Sequence, residues 1–206
     1  MNRARLARWT ALGGIVGSLV FNILLAISIW LNGHWIFGVD FLSDLGAPGP
    51  NGWMFNVGVM VLGALGIVFA AGLYQFISWS KIGKLAAVVF GTSCFFLFLV
   101  GAFPIDTGDL HDNVSWAFFV LVVLSLLLMI VPFWDTNTLG RLSLVGTMVT
   151  VFLSIFDLLL VFVGFMRYQL CEELVVLALT VWVVVTSLLM HRKLRTDSFY
   201  RGPSHA

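Results

Sequence analysis

Six apolar stretches, each about as long as the roughly 20 residues a helix needs to cross a bilayer, dominate this chain. They run over 9–31, 53–77, 82–103, 114–134, 139–165 and 170–190. Backbone cannot stay unpaired in hydrocarbon, so runs of this kind must be helices rather than open strands. A β-barrel would instead show alternating segments of about ten residues, and none are present. The 206 residues are 60% hydrophobic and only 10% charged, against about a quarter charged in an ordinary soluble domain. A chain of this length has no interior large enough to hide that much apolar surface from water. The fold class expected is therefore all-α: a polytopic membrane protein, a six-helix transmembrane bundle occupying 1–195, followed by a polar tail over 196–206.

The basic residues orient this bundle. Arg3, Arg5, Arg8, Lys81, Lys84, Arg141, Arg192, Lys193, Arg195 and Arg201 fall at one end of the spans, and of the eleven lysines and arginines only Arg167 falls at the other. Basic residues accumulate on the cytoplasmic side, so both termini are expected in the cytoplasm of a multi-pass cell-membrane protein. Met1–Arg8 followed by Trp9–Leu31 resembles a secretory signal. The apolar run is longer than the usual 7–15 residues or so, and no small-x-small cleavage site follows, so it reads as an uncleaved first helix. With its basic residues spread along one membrane rim, the chain has no nucleic-acid-reading surface. Membrane lipid is the expected partner, and no feature fixes an oligomeric state.

Helices in lipid approach each other through small residues. Gly14, Ser18, Asn22 and Ala26 recur every fourth residue in the first span, and Asn56, Gly63 and Ala70 every seventh in the second. Both rows read as packing faces. Asn22 and Asn56 are candidate ligand-binding residues, either bonded to each other between helices or lining a cavity. Ile82-Gly83-Lys84-Leu85 and Leu139-Gly140-Arg141-Leu142 hint at a duplicated hairpin, though a basic residue at each helix start explains them as well. Trp9, Trp30, Trp35, Trp53, Trp79, Trp116 and Trp134 sit at span ends, as interfacial anchors do. Cys94 lies too deep to pair with Cys171, given that a disulfide needs Cα atoms within about 7 Å.

Polar residues converge at the end opposite the basic rim. The connection from Asn32 to Gly52 is rich in Gly, Pro and Asn and reads as an ordered, turn-containing loop. It carries His34, Asp40, Ser43 and Asp44; a second loop carries Asp106, Asp109, His111 and Asp112; a third carries Arg167, Glu172 and Glu173. Asp44, Asp106 and His111 are candidate metal ligands, since carboxylates with an imidazole suit zinc or another divalent cofactor, and all-oxygen ligation suits calcium. The same three, with Ser43, are candidate catalytic residues, Ser43 as nucleophile and His111 as base. No GxSxG elbow surrounds Ser43, and Ser43 or Asp44 capping a turn is the simpler reading. A histidine in an acidic loop is also often just solvated. Asp157 lies about 12 Å into the outer leaflet, where an acid needs a partner; Arg167, the single basic group on that side, is the expected one. His191 and His205 fall on the basic side and are expected to be inert.

Leu42-Ser43-Asp44-Leu45-Gly46, Asn56, and Gly101-Ala102-Phe103-Pro104-Ile105-Asp106 followed by His111 together resemble a prokaryotic six-helix membrane family, domain-of-unknown-function family 998. The resemblance is carried over roughly Asn32 to Pro132. More distantly, the chain is similar to the Frag/DRAM/Sfk-type six-helix proteins linked to lipid asymmetry and anchor remodelling. The resemblance implies a lipid-related role in which Ser43, Asp44, Asp106 and His111 matter. Three functions are compatible with these residues. One is a lipid-handling protein with an outer pocket formed by Asn22, Asn56, Asp157, Arg167 and Glu172, in which Arg167 meets a phosphate. The second is a metal-assisted hydrolase or transferase acting on lipid. The third is a proton- or cation-coupled carrier using Asp157.

Overall fold

The computed structural model describes residues 3–135, 138–165 and 167–200. Its regular structure is helical throughout: α1 (Arg3–Asn32), α2 (Gly52–Phe76), α3 (Lys81–Ala102), α4 (Asp109–Trp134), α5 (Arg141–Phe162) and α6 (Tyr168–Tyr200). All six are long and apolar enough to cross a membrane. A short 3₁₀ turn, Leu42–Gly46, sits in the α1–α2 connection and another, Ile105–Thr107, in the α3–α4 connection.

The helices match the six expected spans and depart from them where polar residues extend a helix or glycine ends one. α4 begins at Asp109, ahead of its apolar run, because Gly108 at φ 60° breaks the preceding turn. Asp109 and Asp112 then occupy the first turn, where acids are favoured by the unpaired N–H groups and the helix dipole. α5 stops at Phe162 rather than 165, since Gly164 takes φ 71° just past its end, the left-handed residue that commonly closes a helix. α6 continues through the basic residues to Tyr200, so the first part of the expected tail is helical. His205 and Arg201 lie outside the described residues.

Each helix packs on the next in sequence and α6 returns to α1, closing a ring. Backbones meet closely where side chains are absent. A Cβ on Gly63 would stand 2.5 Å from the Phe98 backbone N and 2.7 Å from the Cys94 backbone O of α3, and one on Gly101 would stand 2.5 Å from the Asn56 backbone O of α2. Phe69, Phe90 and Trp182 form an aromatic cluster in the core, with ring centroids 5.5–6.4 Å apart. The Trp182 indole donates to Thr147 Oγ1 at 2.8 Å, tying α6 to α5. Ser125 Oγ donates to the Ala86 carbonyl at 2.9 Å, tying α4 to α3.

The row expected in α1 is only half right. Gly14 and Ser18 are buried, but Asn22 and Ala26 are exposed. A step of four residues overshoots a full turn by about 40°, so a row kept at that spacing winds off the buried face. The face that does pack steps by three and four, through Ala7, Ala11, Gly14, Ser18 and Phe21. A step of seven drifts far less, and Gly63 and Ala70 of α2 are both buried. The two Gly-containing tetrapeptides do not superpose as a repeat. Gly83 lies inside the first turn of α3, donating to its capping Ser80 at 3.0 Å, whereas Gly140 precedes α5. Trp9, Trp30, Trp53, Trp79, Trp116 and Trp134 are all exposed at more than half their surface. Trp35 is not: its ring packs on a buried cluster under the first loop and its indole donates to the Phe41 carbonyl at 2.9 Å.

Candidate functional site: an apolar cavity under a carboxylate-held loop

The loop from 33 to 51 has many backbone N–H groups and no helix or strand to pair them. Buried amides need acceptors, and here acids supply them as charge-assisted bonds. Asp40 Oδ2 accepts from the Ile36 N–H at 2.7 Å and Asp44 Oδ2 from the Phe41 N–H at 2.8 Å. Two adjacent glutamates near the start of α6, just past its first turn, take the longer-range bonds. Both carboxyl oxygens of Glu173 accept from the Gly38 N–H, at 3.1 and 2.8 Å. Glu172 Oε2 accepts from the Leu42 N–H at 3.1 Å. At the far end of the loop, Asn56 Nδ2 donates to the Gly46 carbonyl at 2.9 Å. So held, the loop lays Leu42 and Leu45 onto Phe21, Phe55 and Val59 as one buried cluster.

Beneath this roof lies a cavity of about 80 Å³, part of it open to the surroundings. It is smaller than the roughly 300–1,000 Å³ typical of sites for drug-sized molecules. Leu42 of the loop and residues of α1, α2, α3, α4 and α6 line it; α5 contributes none. Phe21, Phe55, Phe90 and Phe118 make much of the wall, and the cavity reaches down to Gly13 and Gly14 of α1. Glu172 is the single charged residue in its lining. The charges acting on Glu172, from Asp44 and Glu173, are both negative. Ser18 Oγ, also in the lining, is buried without a hydrogen-bond partner.

The residues singled out for chemistry take separate local roles, although the turns Leu42–Gly46 and Ile105–Thr107 that carry Ser43, Asp44 and Asp106 lie against each other. Ser43 is buried within the 3₁₀ turn. Asp44 caps that turn through Phe41, as the capping reading expected. Asp106 is exposed. His111 is buried, and its Nδ1 lies 2.7 Å from the Phe103 carbonyl at the end of α3. A carbonyl can only accept, so Nδ1 carries the proton. The hydrogen bond of His111 thus fastens the α3–α4 hairpin and leaves Nε2 uncommitted by that bond. Among the described residues no three His, Cys, Asp or Glu side chains are grouped to hold a metal ion, so Asp44, Asp106 and His111 do not form the expected set.

The expected partners of the other candidates also differ. Asn22 donates to the Ser18 carbonyl of its own helix at 2.7 Å, and Asn56 to the loop, so the two do not bond each other. Neither lines the cavity. Asp157 is 3% exposed with Oδ2 lacking any hydrogen-bond partner, while Arg167 stands exposed. The pairing expected between them does not form. Cys94 and Cys171 are both free, as their depths required. His191 has a structural place, its Nδ1 lying 3.3 Å from the Arg8 carbonyl of α1.

A family model described as Protein of unknown function (DUF998) matches residues 15–189. The chain belongs to this family. The match takes in parts of all six helices of the DUF998 chain, well beyond the stretch from Asn32 to Pro132 that carries the motifs. No curated protein and no solved structure matches the chain.

Proposed function

We propose that this DUF998 protein handles membrane lipid, by receiving part of a hydrocarbon chain of the lipid in the cavity between α1, α2, α3, α4 and α6. The observation that carries the reading is the cavity itself: apolar walls, a single carboxylate in the lining, and a loop roof holding Leu42 over it. A tail that leaves the bilayer for such a space gains no hydrophobic free energy, because lipid is already apolar. It gains close packing against walls that otherwise lack partner atoms, and polar contacts at its head. The basic residues at the opposite rim support an extracytoplasmic side for the roofed end of the cavity. Arg167, outside the lining, does not serve as a phosphate ligand for this cavity.

Native mass spectrometry of the purified protein tests this. The expected result is a retained lipid, lost when Leu97→Trp fills the space while the thermal midpoint stays near that of the native protein. A native protein with no retained lipid, or equal retention in a folded Leu97→Trp protein, overturns the reading.

A further inference from the structure

We infer that the polar end received at this cavity is a primary ammonium group carried on a hydrocarbon chain, and that Glu172 selects it. The inference rests on the cavity reading above and adds the class of ligand.

Three features converge on a cationic donor. A carboxylate offers acceptor positions only, about four of them. In Glu172 the Leu42 N–H takes one, at Oε2, so most of its acceptor capacity remains. An ionised carboxylate beside an apolar space is costly unless a partner charge meets it, and the side-chain charges acting on Glu172 come from Asp44 and Glu173, both acids. Compensation therefore comes either from a proton taken up by Glu172 or from a cation that arrives with a ligand. An ammonium group brings three N–H donors. Glu172 accepts the charge-assisted one; Ser18 Oγ, buried in the lining without a partner, belongs to a deeper part of the cavity, since Gly14 one turn below it faces Val183 and Ser187 of α6. Selection works by repulsion as well as attraction. A phosphate or carboxylate head at the same place would face Glu172, Glu173 and Asp44 with no cation in the cavity wall to offset them.

The test compares single-chain amphiphiles that share one chain length and differ only at the head: dodecylamine, dodecanol, dodecanoate and dodecyl phosphate. Each is titrated onto the protein in lipid nanodiscs and its retention read by native mass spectrometry. The amine is expected to bind at least about tenfold more tightly than the phosphate, a ratio equivalent to about 1.4 kcal/mol. Glu172→Gln keeps an oxygen for the Leu42 N–H, so this protein should retain dodecanol as before while its amine preference falls away. Ethanolamine-headed against choline-headed phospholipid of identical chains separates a bilayer source of the ammonium from a free amine, because choline has no N–H. Retention of all four heads alike, or preference for the phosphate, overturns the inference and leaves the cavity reading standing. Retention of none overturns both. The ranking in the native protein decides the matter even where Glu172→Gln proves poorly folded.

Discussion

Asp157 is the residue whose surroundings least suit it. Its Oδ2 is buried against α5's neighbours without a hydrogen bond, and the hydroxyls that share its face are committed elsewhere. Ser154 donates to the Thr150 carbonyl and Thr150 to the Gly146 carbonyl, at 2.8 and 2.9 Å. A buried polar atom left unsatisfied costs about 1–3 kcal/mol. Asp157→Asn keeps the shape and removes the ionisable oxygen, so the unfolding free energy should rise by up to about that 1–3 kcal/mol, seen as a higher thermal midpoint; a lower midpoint would mean the carboxylate has a stabilising partner. That Asp157 lies in a membrane helix was legible from sequence, and so was the need for a partner. The absence of Arg167 from its side was not, because the Gly164 break turns the chain between them. Asp44 shows the opposite case: capping depends on residues three positions apart, and local chemistry of that kind reads directly from the sequence.

At the scale of elements, α2 and α3 make the tightest approach described above, at Gly63. Because the atoms facing it are Phe98 N and Cys94 O, both main chain, no side chain can swing aside for an added methyl. Gly63→Ala should therefore push the two helices apart and cost about 1–3 kcal/mol, measured as a lowered unfolding midpoint. Gly91→Ala, which meets only the Ala70 Cβ at 3.3 Å, should cost clearly less. If both substitutions prove equally mild, the α2–α3 crossing is looser than these distances describe. Helix positions were legible because length and hydropathy alone determine them. The polar pocket expected from Ser43, Asp44, Asp106 and His111 was not what formed. Acids that cluster in sequence loops were spent on amide groups, and the cavity was built from phenylalanines and glycines that look the same as any lipid-facing residue in one dimension. The paired Glu172-Glu173 was the available signal, since two acids opening an apolar helix must find donors nearby. The donors were at Gly38 and Leu42, about 130 residues away in the chain, a separation no spacing rule reaches.

For the whole molecule, the sorting of charge to the two ends of the bundle is the basis of the orientation proposed above. In a protein with Cys94 and Cys171 replaced by alanine, Asp109→Cys should react with a membrane-impermeant maleimide on intact cells. Lys81→Cys should react only after permeabilisation. The reverse pattern would turn the cavity roof toward the cytoplasm and remove the outer leaflet as its source of lipid. Both chosen positions are exposed, so accessibility within the bundle does not confuse the result. The family match over 15–189 spans both ends, which makes this orientation a property to compare among relatives.

The two glutamates opening α6 carry one more implication. Neighbouring helical positions point about 100° apart, so Glu172 and Glu173 pin the covering segment at separate places, Leu42 and Gly38. A flap pinned once can pivot about its pin; pinned twice, it is rigid. Whatever releases the Leu42 pin leaves the flap held at Gly38 and, through Asn56, at Gly46, and the stretch then free to bow is the one between them, above the phenylalanine-walled space. An incoming cation that draws Glu172 toward itself would loosen that very stretch, so that filling the chamber and unlatching it become a single event.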